Sequence, residues 1–292
     1  MDRVDLMLIG AQKSGTTSLY EYMLQHPKLV FSSVKEVTYF IDPEFYALGD
    51  DYYHSFFPDK AGATLVAGGH VHMLASRDAP ARVLKYNPEM QFIVVVREPV
   101  ARAWSAYNYA LQNGWESNEV GILDALDLEE ERLNSGDHRQ KFDLAYFNNG
   151  LYWKHLTHWL LYFPRERFLI LKAADLRNDP DATLAKVWHF LGIDDSVHVD
   201  VSREFNRASR VRWRWINEIT FRRTSRLKKV FRILMPIKLR MWVRSRVIPF
   251  LSRMNTVEVQ PTELSYEIRV SIEPYFRDDL KKLDRDFSIR FG

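Results

Sequence analysis

The sequence predicts an α/β protein: a three-layer fold in which a central parallel sheet is flanked by helices, with a C-terminal helical elaboration. Three observations lead there. Short apolar runs alternate with helix-like stretches through about residue 195. One of those runs, QFIVVV at Gln91–Val96, is nearly all β-branched or aromatic, which suits a strand buried on both faces. A glycine-bearing turn, GAQKSGTTS at Gly10–Ser18, joins the first apolar run to the first helix-like stretch.

In chain order, Val4–Ile9 reads as a buried strand and Thr16–Gln25 as a helix, with a further strand at Thr64–Ala67. After the Gln91–Val96 strand comes a helix over Pro99–Gln112, with Pro99 in its first turn. Leu151–Tyr162 is an amphipathic, aromatic-rich helix, and RFLIL at Arg167–Leu171 is another strand. DPDATLAKVWHFLG carries matching helix ends: Asp179 to cap, Pro180 in the first turn, Gly192 to close. Beyond about Asp194 the pattern turns mostly helical and basic. No internal repeat, low-complexity tract or linker interrupts the chain. The expectation is one domain over residues 1–292, with an α/β core to about residue 195 and a mainly helical, basic remainder.

The chain has 292 residues, 46% hydrophobic and 14% aromatic, with 8 Trp, which is ample for a core and excludes global disorder. Its formal charge is only +3, yet cations gather in RVRWRW, FRRTSRLKKVFR and KLRMWVRSR. Arg222–Arg253 has two readings, an amphipathic surface for an anionic membrane or polyanion, or a helical cover with its arginines in water. No nucleic-acid module is recognisable. The absence of cysteine excludes disulfides, thiolate metal sites and cysteine nucleophiles. MDRVDLMLIG has no cleavable signal pattern, and no apolar run approaches the ~20 residues that span a bilayer, so a soluble cytoplasmic protein is expected.

The turn at Gly10–Ser18 carries the chemistry. A loop between a buried strand and a helix presents backbone N–H groups and the positive helix end to an anion. Ser14, Thr16, Thr17 and Ser18 add hydroxyls and Lys13 a mobile charge, which makes the fold P-loop-like; the other reading is a turn that binds nothing. A triphosphate loop, G-x-x-x-x-G-K-[ST], places its lysine after the second glycine, whereas Lys13 precedes Gly15. That placement argues against a nucleotide-triphosphate-dependent kinase, as does the lack of a magnesium-binding acid ending a second strand.

GAQKSGTTSLYEYMLQHP resembles the 5′-phosphosulfate loop of sulfotransferases that use 3′-phosphoadenosine 5′-phosphosulfate (PAPS). REPVARAWSAYNY at Arg97–Tyr109 resembles their 3′-phosphate segment. KEVTYF at Lys35–Phe40 resembles a segment with a catalytic glutamate in the heparan sulfate sulfotransferases and related bacterial sulfotransferase-domain proteins. Gly150–Gly192 is similar to those bacterial proteins throughout, and NRASR at Asn206–Arg210 resembles the loop that closes over the nucleotide. The resemblance implies a PAPS-dependent enzyme that needs no metal. Lys13 would act on the donor's leaving phosphate, and Ser14, Gly15, Thr16, Thr17 and Ser18 would bind it. Arg97, Ser105, Arg207 and Arg210 would hold the rest of the nucleotide, and Glu36 would be the base. The sequence departs from the family in two places. Thr38 stands where many relatives have a histidine, and their G-E-x-T-P segment is replaced by AGGHVHML. His70 and His72, which would share one face of a strand, are therefore further candidates for the base. The acceptor stays open among glycans, lipids and natural products, and a PAPS-binding protein without catalysis is the remaining reading.

Overall fold

The computed structural model of the protein describes residues 3–59, 62–202, 209–211, 256–258 and 263–291. Five apolar runs become strands: β1 (Leu6–Gly10), β2 (Leu29–Phe31), β3 (Leu65–Gly69), β4 (Gln91–Val96) and β5 (Phe168–Lys172). All four pairings are parallel, in the spatial order β2-β3-β1-β4-β5. The helices between them are α1 (Thr16–Met23), the short α2 (Pro43–Tyr46) and α3 (Asp50–His54), α4 (Ala79–Tyr86), α5 (Pro99–Gln112), α6 (Ile122–Asp127), α7 (Glu129–Asn134) and α8 (Tyr152–Trp159). After β5 come α9 (Ala173–Asn178) and α10 (Pro180–Leu191). The chain divides into two compact units, one of Met1–Tyr107, Gly121–Asn206 and Leu264–Gly292, the other of Asn108–Val120 and Arg207–Glu263. The parallel sheet belongs to the first.

Alternating side chains on β4 serve both faces of the sheet. Ile93 and Val95 join Leu19 and Met23 of α1 and Leu184, Val187 and Trp188 of α10 in one core layer. On the other face Phe92 meets Trp159 of α8 edge-on, with ring centroids 5.0 Å apart, and stacks on Phe168 at 4.8 Å. The ends of α10 follow the sequence: the Asp179 carboxylate accepts the Ala182 N–H at 2.9 Å, and Gly192 closes the helix at φ 64°.

One expectation needs correction. His70 and His72 do not lie on a strand: β3 ends at Gly69, and a turn follows in which the Met73 N–H donates to the His70 carbonyl. A small antiparallel pair, β6 (Ser209–Val211) and β7 (Thr256–Glu258), precedes a 22-residue helix, α11 (Tyr266–Phe287). Arg207 and the whole of 222–253 lie outside the described residues.

Helix α11 does more than cover the sheet. No side chain of its own caps the N-terminus of α8; instead the Asp279 carboxylate reaches across from α11 and accepts the Trp153 and Lys154 N–H groups, both at 3.0 Å. A charged acceptor on two otherwise orphaned donors should contribute as an N-cap does. Asp279→Ala is therefore expected to lower stability by about 1–2 kcal/mol in urea unfolding, and Asp279→Asn by less, because the amide keeps one acceptor oxygen.

Candidate active site

Strands β1 and β4 are neighbours whose connections leave in opposite directions, β1 toward β3 and β2, and β4 toward β5. Such a switch point leaves a crevice at the carboxyl ends of the two strands. The Gly10–Ser18 turn occupies it. A side chain on Gly10 would bring its Cβ within 2.9 Å of the Val71 carbonyl oxygen, and its φ of 145° belongs to glycine. Gly15, at φ 91°, sits at the N-cap of α1, where no side chain caps the helix. By contrast, the Glu98 carboxylate fills the first turn of α5, accepting the Val100 and Ala101 N–H groups at 3.0 and 2.8 Å. The open end of α1 keeps its donors for an anion.

Lys13 and Arg97 meet here. The Arg97 guanidinium donates to the Lys13 carbonyl at 3.2 Å, joining the turn after β1 to the end of β4. The Arg97 backbone is held in turn by Tyr152 at the start of α8, whose phenol donates to its carbonyl at 2.8 Å and accepts its N–H at 3.3 Å. Ser14, 1% exposed, lies beside that phenol. Arg102, fully buried, donates to the Tyr146 carbonyl and faces Glu129. Burial, then the charges of Arg97, Lys35 and Arg102, push the Lys13 ammonium down to about 8.

The KEVTYF segment lies along the same turn. Lys35 Nζ donates to Thr17 Oγ1 at 2.6 Å and sits 3.4 Å from Glu36 Oε1. Glu36 Oε2 accepts the Val71 N–H at 3.0 Å and lies 3.6 Å from His70 Nδ1. His72 is enclosed: its ring stacks on Phe142 with centroids 5.6 Å apart, and its Nε2 is 3.5 Å from an Asp143 oxygen. Burial, then His70, hold its imidazole well below the usual range, so it stays neutral. The rings of His70 and His72 are 5.3 Å apart, and His138 lies 6.4 Å from each. Among the described residues no group of histidines and carboxylates is arranged to hold a metal.

The structure thus gathers Lys13, Ser14, Gly15, Thr16, Thr17, Glu36 and His70 around one turn, with Arg97 bonded to it. Ser18 follows in α1, half-buried. Ser105 lies on α5, half-buried, one helical turn beyond Ala101. Arg210 pairs with Val257 in the second unit, and Arg207 is outside the described residues. Sequence reasoning missed Lys35, Arg102 and Tyr152. Lys35 had a signal, since it adjoins Glu36 in a strand-to-loop segment; Tyr152 had none, because its partner is 55 residues away.

A family model described as the sulfotransferase domain matches residues 3–229. The chain belongs to the sulfotransferase domain family. It is 29% identical over 198 residues to human bifunctional heparan sulfate N-deacetylase/N-sulfotransferase 3, an alignment covering 64% of this chain and 22% of that protein. It is 30% identical over 187 residues to human heparan sulfate glucosamine 3-O-sulfotransferase 6, covering 64% of this chain and 52% of that one. The chain therefore spans about half or less of the length of these curated relatives. A sulfotransferase from Alicyclobacillus acidocaldarius shares the fold, with a TM-score of 0.72 and 19% identity over 100% of this chain and 98% of that one.

The position of Lys13 in this sulfotransferase domain sets a pH dependence. Its ammonium is charged below about 8 in the free protein. A bound phosphate raises its proton affinity, so above that point binding must take up a proton. Adenosine 3′,5′-bisphosphate (PAP) is expected to bind with nearly constant affinity from about pH 7 to 8 and to weaken by up to about tenfold per pH unit above it. Calorimetry across that range checks this, and Lys13→Arg, whose charge does not titrate there, should flatten the curve.

Proposed function

We propose that this chain moves a sulfuryl group from PAPS to a hydroxyl or amine of an acceptor and releases PAP. The observation that carries the reading is the hydrogen bond from Arg97 to the Lys13 carbonyl. It brings together, across 84 residues, the two segments that resemble the family's 5′-phosphosulfate and 3′-phosphate segments, and it does so at the crevice where an open α/β sheet binds ligands.

Sulfuryl transfer, like phosphoryl transfer, depends on positioning and charge stabilisation. The acceptor's oxygen or nitrogen forms a bond to sulfur as the bond from sulfur to the 5′-phosphate oxygen breaks. The departing electron pair collects on that oxygen, where Lys13 and the open N-terminus of α1 offset the charge. Arg97 and Ser105 hold the remote 3′-phosphate, so that its binding energy orients the reacting end. Glu36 takes the acceptor's proton. Its Oε2 is fixed by the Val71 N–H, and Lys35 ties its other oxygen to the phosphate turn through Thr17. His70, beside the same carboxylate, is the second candidate; enclosed, neutral His72 is a weaker one.

Similarity to relatives named for both N- and O-sulfation of heparan sulfate supports a glycan amine or hydroxyl as acceptor. Lipid-linked glycans and natural-product hydroxyls are the acceptor classes to screen beside it.

The donor reading predicts a thermal shift with PAP in the absence of magnesium; stabilisation by ATP–Mg²⁺ alone would overturn it. The mechanistic reading predicts that Glu36→Gln keeps PAP binding and the fold but lowers turnover by roughly 10²–10⁴-fold. Near-normal turnover in Glu36→Gln, with loss in His70→Asn, would move the base to His70. Tight PAP binding without sulfation of any of the three acceptor classes would reduce the protein to a nucleotide binder.

A further inference from the structure

Beside Arg97 the sheet opens into a cleft of about 420 Å³ between the ends of β4 and β5 and the C-terminal helix. Its charged lining is Arg97, Glu98, Lys172, Arg177, Arg269 and Arg290. Three of the five cations have carboxylate partners. Lys172 is 3.6 Å from Asp175, Arg269 is 3.3 Å from Glu98, and Arg290 is 2.6 Å from Asp284. Arg97 and Arg177 have none among the described residues. Among the described residues the Arg97 side chain bonds to a backbone carbonyl, and Arg177 of α9 lines the same cleft. The two guanidiniums are near enough to repel: burial, and then Arg177, lower the proton affinity of Arg97.

Two unmatched positive charges around one cleft suit a single group carrying close to two negative ones. A phosphate monoester has about −1.5 to −2 at pH 7 and three acceptor oxygens, whereas a sugar hydroxyl or a carboxylate has too little charge to satisfy both arginines. Ala101, which also lines the cleft, lies one helical turn before Ser105 on α5, the serine expected to bind the donor's 3′-phosphate.

We propose that Arg177 is a second guanidinium for the donor's 3′-phosphate, gripping it from the β5 side while Arg97 grips it from the β4 side, and that this pair selects the bisphosphorylated nucleotide. The inference rests on the PAPS reading above and adds a specificity residue to it. A guanidinium on each side makes the site selective by attraction: a nucleotide lacking the 3′-phosphate leaves the repulsion between the two cations as it is in the free protein and gains from neither. The carboxylate-paired Arg269 and Arg290 shape the wall, and their charges are already offset.

Calorimetric titration with PAP and with adenosine 5′-monophosphate tests this. Arg177→Ala should weaken PAP by about 10- to 100-fold, the effect of one charge-assisted contact, and leave the monophosphate within about twofold. Arg177→Lys should fall between, because an ammonium keeps the charge and loses the fork. Arg285→Ala removes the same charge from an exposed site paired with Asp286, away from the cleft, and should change neither nucleotide. Unchanged PAP affinity in Arg177→Ala, or equal weakening of both nucleotides, would overturn the proposal while the PAPS reading stands. A wild-type protein that does not prefer PAP over the monophosphate would overturn both.

Discussion

Like charge gathered at the carboxyl ends of β1 and β4 is the constraint that the site is built around. Lys13, Arg97, Arg102 and Lys35 gather there, and burial together with the three neighbouring cations depresses the proton affinity of Lys13. Backbone carbonyls take up much of the load. Arg97 donates to Lys13 and Arg102 to Tyr146, so those cations are hydrogen-bonded without being neutralised. Carboxylates stand behind the cluster, with Glu129 facing Arg102 and Glu98 occupied by the first turn of α5. The positive potential of the crevice therefore persists in the folded protein. An arriving anion meets donors already in place and reverses a repulsion that folding has had to overcome.

The C-terminal helix supports that cluster from outside the sheet. Asp279 caps α8, α8 presents Tyr152, and Tyr152 clasps both polar groups of the Arg97 backbone. About three helical turns before Asp279 on α11, Arg269 pairs with Glu98, the residue after Arg97. Two separate contacts from α11 thus converge on the β4–α5 turn. A segment far along the chain fixes the backbone from which Arg97 extends, and the precision of the phosphate turn depends on helix packing more than 120 residues away in sequence.

Local physics was legible in the sequence, and remote contact was not. QFIVVV reads as a central strand from composition alone, and Asp179, Pro180 and Gly192 mark their helix ends because caps act within a few residues. The glycine-bearing turn between β1 and α1 is legible for the same reason. β2 is only three residues, too short for a periodic signal, and its strand identity comes from pairing with β3. The His70–His72 spacing suggested one face of a strand, but period-two reasoning holds only while the strand continues, and here it stops at Gly69. The two imidazoles still end near each other because the turn folds back on itself. Tyr152, Arg102 and Asp279 gain their roles from tertiary partners, and no window of sequence contains both members of those pairs.

The same turn bears on the chain's departure from its family around Glu36. Thr38, 8% exposed, occupies the position where many relatives carry a histidine, so an imidazole is missing from the segment that holds Glu36. His70 returns one to within 3.6 Å of the carboxylate from another part of the fold. It is not an equivalent replacement. His70 Nδ1, the ring nitrogen that approaches Glu36, is already engaged by the His72 N–H at 3.2 Å. The hydrogen bond that seats the carboxylate comes from the backbone, from Val71, whose carbonyl in turn lies against Gly10. Glu36 and the Gly10–Ser18 turn are thereby referenced to one peptide segment. AGGHVHML stands where the family's G-E-x-T-P is expected, and within it Val71 supplies both the backbone donor that orients Glu36 and the surface that Gly10 packs against.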